Sequence, residues 1–177
     1  MTDKLIYPAT AAAALLLSAC ATTNNMSSEP IGTAMIMSST GAQLGTATLL
    51  ENGNSLSVSV EVAGLPPGSH GFHLHTTGRC EAPDFQSAGG HLNPANKSHG
   101  IYSPNGAHLG DLPNLQVSDN GTAAQTFSLV GNNVNSEAAI FDADGTAVMI
   151  HAGADDYRTD PAGDAGSRIA CGVLRRP

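Results

Sequence analysis

The sequence predicts a single all-β domain, an antiparallel sandwich or flattened barrel. Polar and apolar residues alternate from Ser55 to Val62, as in a strand with one buried face. The Asn-Gly pair at Asn52 and Gly53 precedes this strand and favours a tight hairpin turn. Beyond residue 31, no long stretch repeats its apolar residues with a helical period, and turn residues are frequent. These three observations exclude a helical or mixed fold.

Five other segments show strand patterns, bounded by turn-rich stretches. In chain order they are Thr33–Ser38, Leu44–Leu50, Gly121–Val130, Ala147–Gly153 and Arg168–Leu174. Between them, residues 76 to about 115 carry little strand pattern and many Gly, Pro and Asn residues. So long a loop is unusual in a compact domain. It indicates either an unrecognised element or a bound ligand that orders the loop, and its histidines favour the ligand.

The first 19 residues are predicted to be a signal peptide. Leu5–Leu17 is mostly apolar but too short to span a membrane. The segment Leu17–Cys20 resembles the lipobox of bacterial lipoproteins, in which the cysteine is lipidated and becomes the new N-terminus. The alternative is an ordinary signal peptide that leaves Cys20 without a role. The lipobox predicts a periplasmic protein that is anchored to the bacterial cell envelope membrane through Cys20.

The mature chain divides into a short tether and one domain. Residues 20–31 comprise the lipidated cysteine and a polar, aperiodic segment that is predicted to be flexible. Residues 32–177 form the domain. Cys80 and Cys171 are the remaining cysteines, and an exported protein lies where disulfides persist. They are expected to pair; the alternative is two free buried thiols.

The charge of the chain limits its partners. The formal net charge is −8, and no basic stretch is long enough to neutralise a phosphate backbone. Nucleic acid is therefore excluded as a partner.

The histidines predict a metal site. On a strand, His73 and His75 point to the same face, about 6.5–7 Å apart, and can reach one metal ion. Four more potential ligands follow in the long loop, and one ends a later strand. They are His91, His99, His108, Asp111 and His151. Imidazole suits copper and zinc, and aspartate combined with histidines suits zinc.

The number of ligands indicates two metals with one ligand in common. Without His70, the chain offers six histidines and Asp111, whereas two four-coordinate sites need eight ligands. Seven ligands suffice if one imidazole binds a metal through each nitrogen. The strand histidines suit copper, and the loop ligands suit zinc. His91 lies between the two groups in the sequence and is the candidate for sharing.

These motifs together resemble copper,zinc superoxide dismutase in its bacterial exported form. The similarity rests on GFHLH, AGGHLNP, HLGDL, IHAGADD and GSRIACGV, and it extends from Thr33 to Leu174. It implies an eight-stranded antiparallel Greek-key flattened barrel or sandwich with two long functional loops. It also implies the activity of the family, in which superoxide is disproportionated to dioxygen and hydrogen peroxide.

The resemblance assigns roles to individual residues. The implied copper ligands are His73, His75, His91 and His151. The implied zinc ligands are His91, His99, His108 and Asp111. Cys80 and Cys171 match the disulfide of the family, and Arg168 matches the arginine at the mouth of its copper channel. Asp155 matches the aspartate that links a copper histidine to a zinc histidine, here His73 and His99. His70 matches a histidine with a structural role.

The implied mechanism makes His91 and Arg168 the catalytic residues. Copper alternates between Cu(II) and Cu(I), His91 leaves copper on reduction and carries a proton, and zinc is structural. Arg168 attracts the superoxide anion. Lys97 and Arg158 are candidates for further cations, although Lys97 is interpreted first as a solvated charge of the loop. Such an antioxidant enzyme would protect the cell envelope. The alternative function is non-enzymatic copper and zinc binding in the periplasm on the same fold. Both a monomer and a homodimer are compatible with the sequence.

Overall fold

The computed structural model describes Met1 and residues 28–130 and 133–177. The predicted signal peptide, Cys20 and most of the tether lie outside these residues. The first strand begins at Glu29, three residues before the predicted start of the domain. The strands are β1 Glu29–Ser38, β2 Gln43–Asn52, β3 Ser55–Ala63, β4 Gly68–His75, β5 Asp111–Val117, β6 Thr122–Ser128, β7 Ala147–His151 and β8 Arg168–Val173. A 3-10 turn spans Gln86–Ala88, and helix α1 spans Asn133–Ile140.

The eight strands form one antiparallel sheet that curls into a nearly closed barrel. Their order is β5-β4-β7-β8-β1-β2-β3-β6. The chain crosses over between β3 and β4 and again between β6 and β7, which gives the predicted Greek-key connection. The sheet ends, β5 and β6, are joined by a tight turn. A hydrogen bond from the Gln116 backbone N–H to Oε1 of Gln125 (2.9 Å) also links them.

The apolar core fills the barrel. Leu56, Val58, Val60 and Val62 of β3 are all buried, so the predicted inner face of this strand is confirmed. The other strands contribute further buried residues to the same cluster, among them Ile36, Leu49, Phe72, Leu74, Leu115, Val148, Ile150 and Ala170. Because successive side chains on a strand alternate, the residues between these on β4 and β7 point outward, under the loops.

The cross-strand register aligns four residues on the outer face. His73 of β4 pairs with Asp111 of β5 on one side and with Met149 of β7 on the other. Met149 pairs in turn with Cys171 of β8. Directly paired residues project to the same face of a sheet. One row across four strands therefore holds a histidine and an aspartate of the predicted metal sites and a cysteine of the predicted disulfide.

The sequence pattern missed strand β5. Residues 76 to 115 were expected to be loop, but the strand begins within them, at Asp111. Pro113 obscured the pattern, because proline is rare in central strands. β5 has a ladder partner on one side only, where proline is tolerated. The ladder with β4 is also irregular here, between His70 and Phe72.

Helix α1 was not predicted either. Eight residues are too few to show a helical period, and a helix this short depends on tertiary packing. Ile140 supplies it, since its side chain is fully buried in the core. Among the residues that the structure describes, no helix is long and apolar enough to cross a membrane.

Candidate metal centre

Three strands and the long loop bring the predicted ligands together. His73 and His75 lie on the outer face of β4, His151 ends β7 and Asp111 begins β5. The loop places His91 beside His75 through an isolated backbone bridge. All six histidines of the predicted sites and Asp111 are buried. The expected ligands thus converge on the outside of the barrel, although up to 78 residues separate them in the chain.

The first group of ligands consists of four histidines. One ring nitrogen from each of His73, His75, His91 and His151 lies within 4.8 Å of the others. Each histidine also has one buried nitrogen without a hydrogen-bond partner: Nδ1 of His73 and Nε2 of the other three. Leaving a buried polar atom unpaired costs about 1–3 kcal/mol. Four such atoms at one place fit a metal ion with all-nitrogen ligands, which is a donor set suited to Cu(II).

The other ring nitrogens of this group are already engaged and orient the rings. His75 Nδ1 lies 2.9 Å from the carbonyl oxygen of Gly89, and His151 Nδ1 lies 3.1 Å from that of Gly166. His73 Nε2 lies 2.8 Å from Oδ2 of Asp155. Hydrogen bonds of this kind fix the tautomer and the direction of a metal-binding imidazole. These contacts leave the remaining nitrogen of each ring directed at the place where a metal ion would bind.

The second group contains three histidines around one carboxylate. The Nδ1 atoms of His91, His99 and His108 lie 2.8, 3.0 and 3.1 Å from Oδ1 of Asp111. Oδ2 of Asp111 accepts the backbone N–H groups of Gly100 and His108. Three imidazole nitrogens and a carboxylate oxygen in close contact are the ligand set of a tetrahedral zinc site.

His91 belongs to both groups. Its Nε2 faces the first group without a partner, and its Nδ1 faces Asp111 in the second. Asp155 connects the groups by another route, because its Oδ1 lies 2.9 Å from Nε2 of His99 while its Oδ2 contacts His73. Gly163 makes room for this contact. A Cβ atom there would lie 1.7 Å from Oδ1 of Asp155, and its φ of +65° suits glycine.

Most histidines of the first group have lowered pKa values, which favour the neutral imidazole that binds a metal ion. Burial lowers the pKa of His73 to about 3, that of His75 to about 2 and that of His151 to about 4. These imidazoles are neutral at pH 7, as metal binding requires. Burial opposes a charge on His99 as well, but hydrogen bonds to Asp111 and Asp155 outweigh it and raise the pKa of His99 to about 9.

We expect the metal-free protein to lose stability as the pH falls from about 6.5 to about 4. The folded-state pKa values of His73, His75 and His151 lie below the ordinary 6.5, so the unfolded chain binds protons first. His99 has the opposite sign, but its contribution is complete below pH 6.5 and is lost only as the pH rises towards 9. Urea denaturation of the metal-free protein at pH 7, 5.5 and 4 measures this. A midpoint that does not fall would contradict it.

Arg168 lies beside the first group. Its guanidinium donates hydrogen bonds of 2.7 Å to the carbonyl oxygens of Phe85 and Gly89. The Gly89 carbonyl also contacts His75, and Arg168 is the register partner of His151. The charge of Arg168 adds to burial in lowering the pKa of both histidines. A fixed, half-buried cation therefore stands next to the proposed copper ligands.

The disulfide between Cys80 and Cys171 is present, with a Cα–Cα distance of 5.7 Å. It ties the start of the long loop to β8, three residues beyond Arg168. Phe85, Ala88, Ala147 and Met149 pack with it in a small cluster. The bridge thus holds the loop segment whose carbonyl groups fix Arg168.

His70 lies outside both groups. Its two ring nitrogens lie 2.7 Å from the carbonyl oxygen of His151 and 2.8 Å from that of Pro66. Lys97 is exposed, and the guanidinium of Arg158 lies over the ring of Tyr102, 5.3 Å from its centroid.

Some supporting groups were not identified from the sequence. The carbonyl groups of Gly89 and Gly166 orient His75 and His151. Every residue has a backbone carbonyl, so no residue type in the sequence marks these two. Asn93 is different: its amide contacts both the backbone N–H and the carbonyl oxygen of Lys97 at 2.9 Å, and that oxygen lies 3.1 Å from Nε2 of His108. The Asn-Pro pair after His91 signals a turn and could have drawn attention to it.

Comparison with known proteins places this geometry in a family context. The family model described as copper/zinc superoxide dismutase (SODC) matches residues 43–174. The chain is 41% identical to superoxide dismutase [Cu-Zn] 1 of Aquifex aeolicus, and the match covers 79% of this chain and 85% of that protein. It is 39% identical to superoxide dismutase [Cu-Zn] of Caulobacter vibrioides, over 81% of this chain and 84% of the relative.

Solved structures show the same similarity. A double mutant of a superoxide dismutase-like protein from Bacillus subtilis superimposes with a TM-score of 0.76 at 40% identity, covering 80% of this chain and 95% of that one. Cu/Zn superoxide dismutase from Brucella abortus superimposes with a TM-score of 0.65 at 30% identity, covering 81% of this chain and 98% of that one.

Proposed function

Because this chain belongs to the copper/zinc superoxide dismutase family, we propose that it disproportionates superoxide. Two superoxide anions and two protons yield one dioxygen and one hydrogen peroxide. The observation that carries the proposal is the pair of ligand groups joined by His91, with four unpartnered imidazole nitrogens on one side and Asp111 on the other. Every ligand type that two metals require is present, which a vestigial site would not preserve.

The two groups fit different metals. His73, His75, His91 and His151 would hold copper through the unpartnered nitrogens, and His91, His99, His108 and Asp111 would hold zinc. Copper, when bound, supplies the one-electron exchange with superoxide. His91 Nδ1 faces Asp111, on the side that would hold zinc, so Nε2 would be the nitrogen of that ring left to take up or release a proton. Asp155 and the carbonyl groups of Gly89 and Gly166 keep the remaining rings oriented.

Arg168 provides attraction for the substrate. The protein has a net charge of −8, so its overall field repels a small anion, and a local cation has to overcome this. The guanidinium is held by two carbonyl groups and does not need to reorganise when superoxide approaches. Superoxide is the partner that this arrangement favours.

We expect a graded loss of activity at Arg168. A unit charge beside a partly solvated site contributes on the order of 1 kcal/mol, so Arg168→Ala should lose roughly tenfold or less in rate. Arg168→Lys should keep most of the activity, and Arg168→Glu should lose the most. Copper and zinc content, measured for each variant, should not change. Four equally active proteins with full metal content would show that another group attracts the substrate.

Non-enzymatic metal binding is the less favoured function. A metal carrier has little use for a ligand shared by two metals or for a cation beside the copper site, and this chain has both. Superoxide turnover by the purified, remetallated protein decides between the functions. Full copper and zinc occupancy without turnover would support the carrier.

We also propose that the protein is periplasmic and anchored to the cell envelope through Cys20. The support is the lipobox-like segment Leu17–Cys20 after an apolar stretch. Stable anchoring requires more than one acyl chain, and each buried CH₂ contributes about 0.8 kcal/mol.

Cys20→Ser tests the anchor, because it removes the residue that would carry the lipid. We expect the variant to accumulate as unprocessed precursor or as soluble periplasmic protein. Wild-type protein should partition into the detergent phase after extraction with Triton X-114. Mature wild-type protein in the aqueous phase would contradict lipidation.

A further inference from the structure

Two loops meet beside the second group of ligands. The long loop comprises residues 76–110, and the second loop comprises residues 152–167, between β7 and β8. The backbone N–H of Tyr102 donates to the carbonyl oxygen of Tyr157 at 3.2 Å, and Oγ of Ser103 donates to that of Arg158 at 3.3 Å. Gly100 allows this approach, because a Cβ there would lie 1.9 Å from the oxygen of Tyr157.

One contact between the loops reaches a ligand directly. The backbone N–H of His99 donates to Oδ1 of Asp160 at 2.7 Å. We propose that Asp160 is a positioning residue for the zinc site, and that its carboxylate fixes the backbone of His99 so that the His99 ring points at the metal. This inference rests on the zinc assignment made above.

The geometry explains why the backbone of His99 needs such a partner. The His99 residue is fully buried, and its ring is held between Asp111 at Nδ1 and Asp155 at Nε2. His99 lies in a loop, so no strand ladder fixes its main chain. Its carbonyl oxygen accepts a hydrogen bond from Oγ of Ser103 in the same loop, and its N–H has Asp160 of the other loop as its acceptor. A short hydrogen bond to a charged acceptor is about twice as strong as a neutral one. The contact with Asp160 therefore locks the main chain at the point where the ring position is decided.

The neighbouring acidic residues of the second loop act differently. The carboxylate of Asp156 accepts hydrogen bonds from Arg158 and Thr159, so it shapes its own loop. Asp164 is exposed and has a φ of +51°, a conformation that asparagine tolerates well. Asp164→Asn therefore removes one negative charge from the same loop without straining the backbone, and it is the matched control.

The test compares zinc release from the copper- and zinc-loaded proteins into a chromogenic chelator. We expect Asp160→Ala to release zinc about tenfold faster than wild type, which is the usual effect of losing a group that orients a metal ligand. Asp160→Asn keeps an acceptor oxygen, so its release rate should stay within about threefold of wild type. Asp164→Asn should release zinc at the wild-type rate.

A second readout reports on the hydrogen bond itself. In the reduced, diamagnetic holoenzyme, the amide proton resonance of His99 should move upfield and exchange faster with solvent in Asp160→Ala, and less so in Asp160→Asn. The asparagine variant gives this readout even if the alanine variant does not fold. Equal zinc release from Asp160→Ala and Asp164→Asn, or an unchanged His99 amide in Asp160→Asn, would overturn the proposal. Wild-type protein that binds no zinc would refute the zinc assignment and this inference with it.

Discussion

Replacing His91 with alanine is expected to lower superoxide turnover by at least about a hundredfold, more than the loss of a supporting group costs. His91 is the one residue common to both ligand groups within the described part of the chain. Without its imidazole, the proposed copper site keeps three of its four histidines, and the proposed zinc site keeps two of its three. The nitrogen proposed to exchange a proton with the substrate is also lost.

Metal content, copper spectra and turnover of the remetallated His91→Ala protein test this expectation. The copper signal in electron paramagnetic resonance should change from the wild-type form, because a ligand is missing. Asp111→Ala is the matched comparison, since Asp111 belongs only to the second group and its loss should mainly reduce zinc occupancy. An unchanged copper spectrum in His91→Ala would remove His91 from the copper site.

Removing the disulfide with the double substitution Cys80→Ser, Cys171→Ser is expected to lower the free energy of unfolding substantially. The two cysteines are 91 residues apart in the sequence. Closing a loop of that length lowers the entropy of the unfolded chain and contributes about 4–5 kcal/mol in the chain-entropy model. For a domain of this size, the melting temperature should fall by about 10–20 °C.

Calorimetry of the metal-loaded protein, with and without the substitution, measures the effect. Reducing the wild-type disulfide should reproduce most of the change, which separates the missing bond from the new side chains. Turnover should fall as well, because the long loop presents the carbonyl groups that hold Arg168. A decrease in the free energy of unfolding of less than about 1 kcal/mol would contradict the entropic account.

The fold was predicted from the sequence where side chains alternate. The face of β3 formed by Leu56, Val58, Val60 and Val62 is buried as expected, because burial of one face imposes a period of two. β5 was not predicted, since Pro113 interrupts its pattern and its edge position tolerates that interruption. α1 was not predicted because eight residues are too short for a helical period.

The candidate ligands could be selected from the sequence because few residue types bind copper or zinc. His73 and His75 share one face by strand geometry, and the count of seven ligands led to a shared His91. The supporting contacts could not be found this way. The carbonyl of Gly89 depends on backbone position alone, and the contact between Asp160 and His99 joins residues that are 61 positions apart. Such distances depend on the packing of two loops, which has no local pattern.

The row of Asp111, His73, Met149 and Cys171 across four strands has a consequence for folding fidelity. A slip of one residue in β4 would turn His73 into the barrel and expose Phe72 in its place. The same slip in β7 or β8 would bury or expose the wrong side chain beside it. The metal sites and the disulfide fit only a barrel whose strands are correctly aligned. Metal binding and the disulfide therefore add stability to that alignment. A barrel with a slipped strand lacks that added stability.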